Sequence, residues 1–214
     1  MTVQMAQRPI PGAGRLPGAL ATGVVIGWFT AVFLMARAGV FQQRSPLPLT
    51  YLQLAIFVPM LLFWLGYGTI RPFRDYILSL DLLFLISLQC WRVLGGAILV
   101  MWGYGLLPGG FALPMSILDM SVGVIAVYAV YALATNQPNW QATVWRMNIW
   151  GFIDFFITIG LALFGIALAF DPPAPGGVQA TLVQLPLSLF PSFAIPFFSC
   201  VHFAVFAKLW QLRD

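Results

Sequence analysis

Apolar residues along this chain do not alternate with polar ones. They gather into six long runs, separated by short stretches rich in Pro, Gly, Asn, Gln and Arg. A helix needs about 20 apolar residues to cross the hydrocarbon core of a bilayer, and each run approaches that length. The pattern predicts helices over 16–38, 51–70, 82–107, 111–134, 147–170 and 185–208. In the first, Ala19, Gly23, Gly27 and Ala31 recur every four residues, which predicts a small-residue face packed against a neighbour in the same chain. Pro59 predicts a bend in the second. Arg71-Pro72-Phe73-Arg74-Asp75 closes that helix, and 76–81 is expected to lie along the membrane surface. Pro108-Gly109-Gly110 turns the third helix into the fourth, and 135–139 forms the next loop. Trp140, Trp145 and Trp150 are expected at one membrane interface, and the Pro- and Gly-rich 171–177 stretch is expected as a stiff loop.

The expected fold class is therefore all-α: a polytopic membrane protein with six transmembrane helices. It has a tail over 1–16 and a single six-helix domain over 17–214. Six spans place both termini on one side. That side holds Arg8, Arg15, Arg71, Arg74, Arg146, Lys208 and Arg213, against Arg37 and Arg44 on the other. Basic residues favour the cytosolic side, so both termini are expected to be cytosolic.

Composition excludes the soluble alternatives. The 214 residues are 61% hydrophobic and 7% charged, too few charges to cover a water-exposed surface. The net charge of +4 does not point to nucleic acid, because the arginines lie at the ends of apolar runs and form no cluster. The expected partners are the lipid bilayer and a homo-oligomer or larger membrane complex. Ala36-Arg37-Ala38 resembles a signal cleavage site, but the run before it is longer than a signal core, so a retained first helix is expected. Cys90 and Cys200 sit singly inside apolar runs and read as packing residues.

Each later helix carries one polar stripe: Gln89, Arg92, Gly96 and Gly103; Ser116, Asp119 and Gly123; Asn148, Gly151, Asp154 and Thr158; Ser188, Ser192, Ser199 and His202. Steps of three, four and seven put each set on one helix face. Lipid excludes such groups, so the four faces should point at one another. Arg92, Asp119, Asp154 and His202 are the expected intramembrane cluster, supported by Gln89, Asn148 and Ser199. One arginine cannot neutralise two carboxylates, and it keeps its proton. Either an aspartate is protonated, or His202 is charged, or water enters the bundle. The expected arrangement pairs Arg92 with Asp154 and leaves Asp119 holding a proton.

No metal and no cofactor is expected. One histidine cannot ligate a haem from both sides, and one histidine with two scattered cysteines makes no zinc or copper site. No H-E-x-x-H, G-x-S-x-G or phosphate-loop motif occurs. Ser199 lies near His202 but has no orienting third group, so an enzyme is not expected.

The segments Q-x-W-R-V-x-G, G-x-L-P-G-x-F-A, N-x-W-G-x-x-D and L-P-L-x-x-x-P-x-x-x-x-P carry Gln89, Trp91, Arg92, Gly95, Pro108, Phe111, Asn148, Gly151, Asp154, Pro186, Pro191 and Pro196, with Asp119 and His202 beside them. Together they resemble an uncharacterised family of small bacterial six-span integral membrane proteins, over about residues 70–208. The chain departs from that pattern at Ser116-Ile117-Leu118, where glycines would precede the aspartate. The resemblance implies the fold and a bacterial inner-membrane location, and no activity. Two functions remain open. One is a small proton-coupled transporter or permease-like protein, favoured by the polar stripes and the proline-rich last helix. The alternative is an accessory or assembly subunit of a larger membrane complex, in which the cluster only fixes helix register.

Overall fold

Thr50 starts one of the longest helices by a reciprocal cap. Its hydroxyl accepts from the Gln53 N–H at 3.2 Å, and the Gln53 side chain accepts from the Thr50 N–H at 2.7 Å. Asp81 caps another, accepting from the Phe84 N–H at 2.7 Å. These bonds satisfy amides that the first helical turn leaves open. A computed structural model describes residues 15–43, 49–164 and 177–212. Among them the regular elements are all helical: α1 (Arg15–Arg37), α2 (Tyr51–Thr69), α3 (Arg71–Ser79), α4 (Leu82–Ser87), α5 (Ala97–Gly103), α6 (Gly109–Ala134), α7 (Trp140–Phe164), α8 (Gly177–Leu182) and α9 (Ile195–Gln211). A 3₁₀ segment, Cys90–Gly96, links α4 to α5, and a π-helical turn, Phe190–Ala194, precedes α9.

Five segments are long and apolar enough to cross a membrane: Gly18–Arg37, Tyr51–Thr69, Leu82–Gly103, Gly109–Ala134 and Phe190–Gln211. Large apolar side chains stand on their outer faces, Leu20 69% exposed and Leu94 68% exposed among them. Such faces suit lipid better than water. The 25 residues of α7 also have the length, but carry Arg146 and Asp154. The tail expected over 1–16, Arg44 and the loop expected over 171–177 fall almost wholly outside the described residues.

The described residues gather into two compact units. One takes those within Pro9–Ser79 and Ala180–Cys200. Its core is Val32, Ala36, Phe41 and Leu52, with Trp28, Leu189 and Phe193 packed against them. Rings supply much of the contact: Trp28 and Phe29 meet Phe193 at 4.8 and 5.1 Å between centroids. The small-residue face of α1 is not what packs. Gly23 and Gly27 are exposed, and a methyl added at either would meet nothing within 4 Å. The inward face is instead Trp28, Val32 and Ala36, whose larger side chains reach the π-helical turn and α2. Pro59 is accommodated within a continuous α2. After α2, Ile70 adopts an extended conformation and α3 begins at Arg71. There Phe73 packs edge-on against Phe63 at 5.4 Å.

The other unit takes the described residues within Leu80–Gln179 and Val201–Asp214, with α6 at its centre. Helix α6 packs against α4, the 3₁₀ segment, α5 and α7. Its inward face is Ala112, Met115, Ser116, Asp119, Val122, Gly123, Ala126 and Ala129, all buried. Gly123 lets the 3₁₀ segment come close, since a methyl there would overlap the backbone of Val93. The turn before α6 is made by Gly105, at φ 68°, while Pro108 is the N-cap and Gly109 the first helical residue. Helix α7 starts at Trp140, seven residues before the expected start. Trp140 is buried, Trp145 packs against Phe206 and Trp210 of α9 at 5.3 and 5.7 Å, and Trp150 is 38% exposed and donates to the Ser121 hydroxyl at 2.7 Å. The last helix is α-helical only from Ile195 rather than from 185, because the proline-rich segment before it takes up turns and the π-helical stretch.

Candidate functional site

The third expected helix is not one regular helix, and this decides the site. Between α4 and α5 the chain tightens to three residues per turn over Cys90–Gly96. Residues three apart then eclipse one another. Gln89, Arg92 and Gly95 therefore share the face turned toward α6, and all three are buried. The stripe expected at an α-helical period, ending at Gly96 and Gly103, is corrected: Gly96 is only half-buried and Gly103 is exposed. Gly95 joins this face only at the threefold spacing Gln89-x-x-Arg92-x-x-Gly95. It matters because a methyl there would strike the Asp119 carboxyl. Ser116 holds the same turn, donating to the Gly95 carbonyl at 3.0 Å.

Arg92 is 1% exposed and gathers partners from three helices and its own turn. Its Nε donates to Asp119 Oδ1 of α6 at 2.6 Å, and its Nη2 donates to Asp154 Oδ2 of α7. Its Nη1 lies 3.0 Å from His202 Nε2 of α9 and makes a long contact of 3.5 Å with Gln89 Oε1. The guanidinium carbon stands 4.4 Å over the Phe155 ring, a cation–π contact that covers its remaining face. The expected pairing of Arg92 with Asp154 is present, and Asp119 pairs with it as well, because the forked donors of Arg92 face two helices at once.

The tautomer of His202 follows from its neighbours. Arg92 can only donate, so Nε2 accepts and the ring is neutral. Nδ1 then carries the hydrogen and donates to Asn148 Oδ1 at 2.6 Å. The Asn148 amide nitrogen in turn donates to the His202 backbone carbonyl at 2.9 Å. Phe152 and Phe155 stand edge-on to the ring at 6.3 and 5.5 Å. Gly151 makes room for it, since a methyl there would overlap the imidazole.

The two carboxylates are not equally supplied with donors. Thr158 donates to Asp154 Oδ1 at 3.2 Å, so each oxygen of Asp154 has a donor. Among the described residues Asp119 accepts only from Arg92, through Oδ1. Among the described residues the Gln89 amide nitrogen and the Ser188 hydroxyl are buried without a partner. Ser199 donates to the Ile195 carbonyl of its own helix at 2.8 Å, and Ser192 likewise to Ser188. Ser199 and Ser192 thus bond within their own helical segments, while Arg92, Asp119, Asp154, His202, Gln89 and Asn148 are brought together. Phe155 went unnoticed in the sequence, where one more aromatic beside Asp154 gives no signal.

The fold and this cluster define a class: an all-helical protein with membrane-length apolar segments and an arginine bound to two buried carboxylates. Residues 49–210 match a family described as a domain of unknown function, DUF8737, and the chain belongs to that family. No curated protein and no solved structure matches the chain.

Proposed function

We propose that the protein is a multi-pass protein of the bacterial inner membrane, with six spans and cytosolic termini, that works as a small proton-coupled transporter. One observation carries this reading: two carboxyl groups, from α6 and α7, converge on a single guanidinium out of contact with water. With both ionised the group has a net charge of −1, which a low-dielectric interior disfavours. Binding one proton removes that charge and weakens the attraction of Arg92 for the carboxyl that takes it, and releasing it restores the full ionic hold on both helices. Proton occupancy and helix packing are therefore coupled. A solute site that senses this packing would be proton-linked. The test uses proteoliposomes enclosing a pH-sensitive dye, challenged with a panel of small amines, carboxylic acids and sugars. A dye response that depends on one solute and disappears in Asp119→Asn supports transport. No response to any solute, from protein that remains folded, removes it.

A second reading is an accessory or assembly subunit of a larger membrane complex. It is favoured by the way Arg92 ties α6, α7 and α9 together at one point, as suits a cluster that fixes helix register. Native mass spectrometry of protein purified in mild detergent separates the two. Stoichiometric foreign subunits support the accessory reading, and a lone chain or homo-oligomer supports the transporter.

A further inference from the structure

We propose that the exchangeable proton of the cluster resides on Oδ2 of Asp119, while Asp154 remains the permanent carboxylate partner of Arg92. This rests on the reading of the cluster as a proton site. It assigns distinct roles to two aspartates that the charge count treats alike.

The donors distinguish them. Asp154 has one on each oxygen, Arg92 on Oδ2 and Thr158 on Oδ1. A carboxylate held on both sides is stabilised in its charged form. Asp119 has Arg92 on Oδ1 and, among the described residues, no donor on Oδ2. That second oxygen lies against Gly95, close enough that a methyl on the glycine would collide with it. In a side chain only 5% exposed, a carboxylate oxygen without a donor is costlier than the same oxygen as a hydroxyl. Placing the proton there leaves Arg92 and Asp154 as a neutral pair beside an uncharged Asp119.

Among the described residues, the elements packed around Asp119 offer no competing charge beside it. Helices α4 and α5 carry no titratable side chain. On the 3₁₀ segment the titratable groups are Arg92 and the part-exposed Cys90. On α7 they are Asp154 and the exposed Arg146. On α9, His202 is neutral by its hydrogen bonds, Lys208 donates to the Leu80 carbonyl and Cys200 is part-buried, while on α6 itself Tyr128 and Tyr131 are exposed.

Infrared difference spectroscopy between H₂O and D₂O, on protein in lipid at neutral pH, tests the assignment. All six acidic side chains are aspartates, so few carboxyl groups contribute. The wild type should show a protonated-carboxyl C=O band that shifts in D₂O. Asp119→Asn should lose it, Asp154→Asn should keep it, and Asp119→Glu should move it to the glutamic-acid position. A wild type without the band, a band that survives Asp119→Asn, or a band unmoved in Asp119→Glu overturns the assignment. If Asp154→Asn does not fold, the Asp119→Glu shift decides alone. The two proposals fail separately. The band without solute-linked proton movement removes transport and leaves the assignment standing. Solute-linked proton movement with a band that survives Asp119→Asn does the reverse.

Discussion

Around Arg92, side chains from α6, α7 and α9 meet a single guanidinium, and their partners are fixed by donor and acceptor rather than by shape. Around Phe193, the rings of Trp28 and Phe29 and the side chains of Val32 and Leu52 meet without a polar contact between them. The two cores answer to different physics. Lipid tails are as apolar as leucine, so a membrane apolar core gains mainly from the fit of its surfaces and yields gradually when that fit is spoiled. A buried charge network has no such gradation, since removing one member strands the others without water to take its place. The contrast predicts steep losses in one unit and shallow losses in the other.

The steepest loss belongs to Arg92 itself. Arg92→Met leaves two carboxyl groups and an imidazole without their common donor, and removing one partner of a buried pair costs about 3–5 kcal/mol. Thermal unfolding in detergent, followed by tryptophan fluorescence, should show the largest drop in midpoint of any single substitution described below. Arg92→Lys should recover only part of it, because an ammonium cannot serve α6 and α7 with a planar fork. A loss for Arg92→Met no larger than for a ring substitution at Phe193 would erase the contrast.

Adjacent glycines give a finer test within the same unit. A methyl at Gly95 strikes the Asp119 carboxyl, which is held by Arg92 and cannot yield freely. Overpacking of this kind costs about 1–3 kcal/mol. A methyl at Gly96 meets only the flexible end of Met120, 3.2 Å from its sulfur. Gly96→Ala should therefore stay within about 0.5 kcal/mol of wild type. Equal effects at the two positions would show that the threefold register of the 3₁₀ segment is not what orients Arg92.

That register also marks where the sequence could and could not be read. Uninterrupted apolar runs announced helices long enough for a membrane, because few other structures bury so many apolar residues in a row. Isolated charges in such runs announced an interior cluster, because lipid leaves them nowhere else to go. Arg92, Asp119, Asp154 and His202 do converge, and Asn148 and Gln89 lie with them. The exact helical period was not legible. In Cys90–Gly96 nearly every residue is apolar or glycine, so periods of 3.0 and 3.6 leave the same trace. The choice of partner was not legible either, since the spacing along one chain says nothing of which donor faces which helix. In α1 the small residues misled for a different reason: a GxxxG spacing permits close packing without requiring it, and Trp28 offered more contact.

Smaller effects are expected around Phe193. Phe193→Leu keeps an apolar side chain of similar bulk and gives up the ring contacts with Trp28 and Phe29. Swaps of this kind cost less than about 1.5 kcal/mol, so the unfolding midpoint should move by well under half the Arg92→Met shift. A collapse of the fold in Phe193→Leu would mean that this core is as exacting as the charged one.

The smallest effect is expected at Gly27, and it has the opposite sign. The residue lies within α1, and a methyl added to it meets nothing within 4 Å among the described residues. A glycine in a helix is freer when unfolded, so Gly→Ala at a compatible position stabilises by about 0.4–1 kcal/mol. Gly27→Ala should therefore raise the unfolding midpoint slightly or leave it unchanged, while Gly151→Ala, which crowds the His202 ring, should lower it. The pair compares one substitution on an open face and in the charged core, with helix propensity held the same. A lowered midpoint for Gly27→Ala would place another surface against this face of α1, and size-exclusion chromatography with light scattering would show whether that surface is a second copy of the chain.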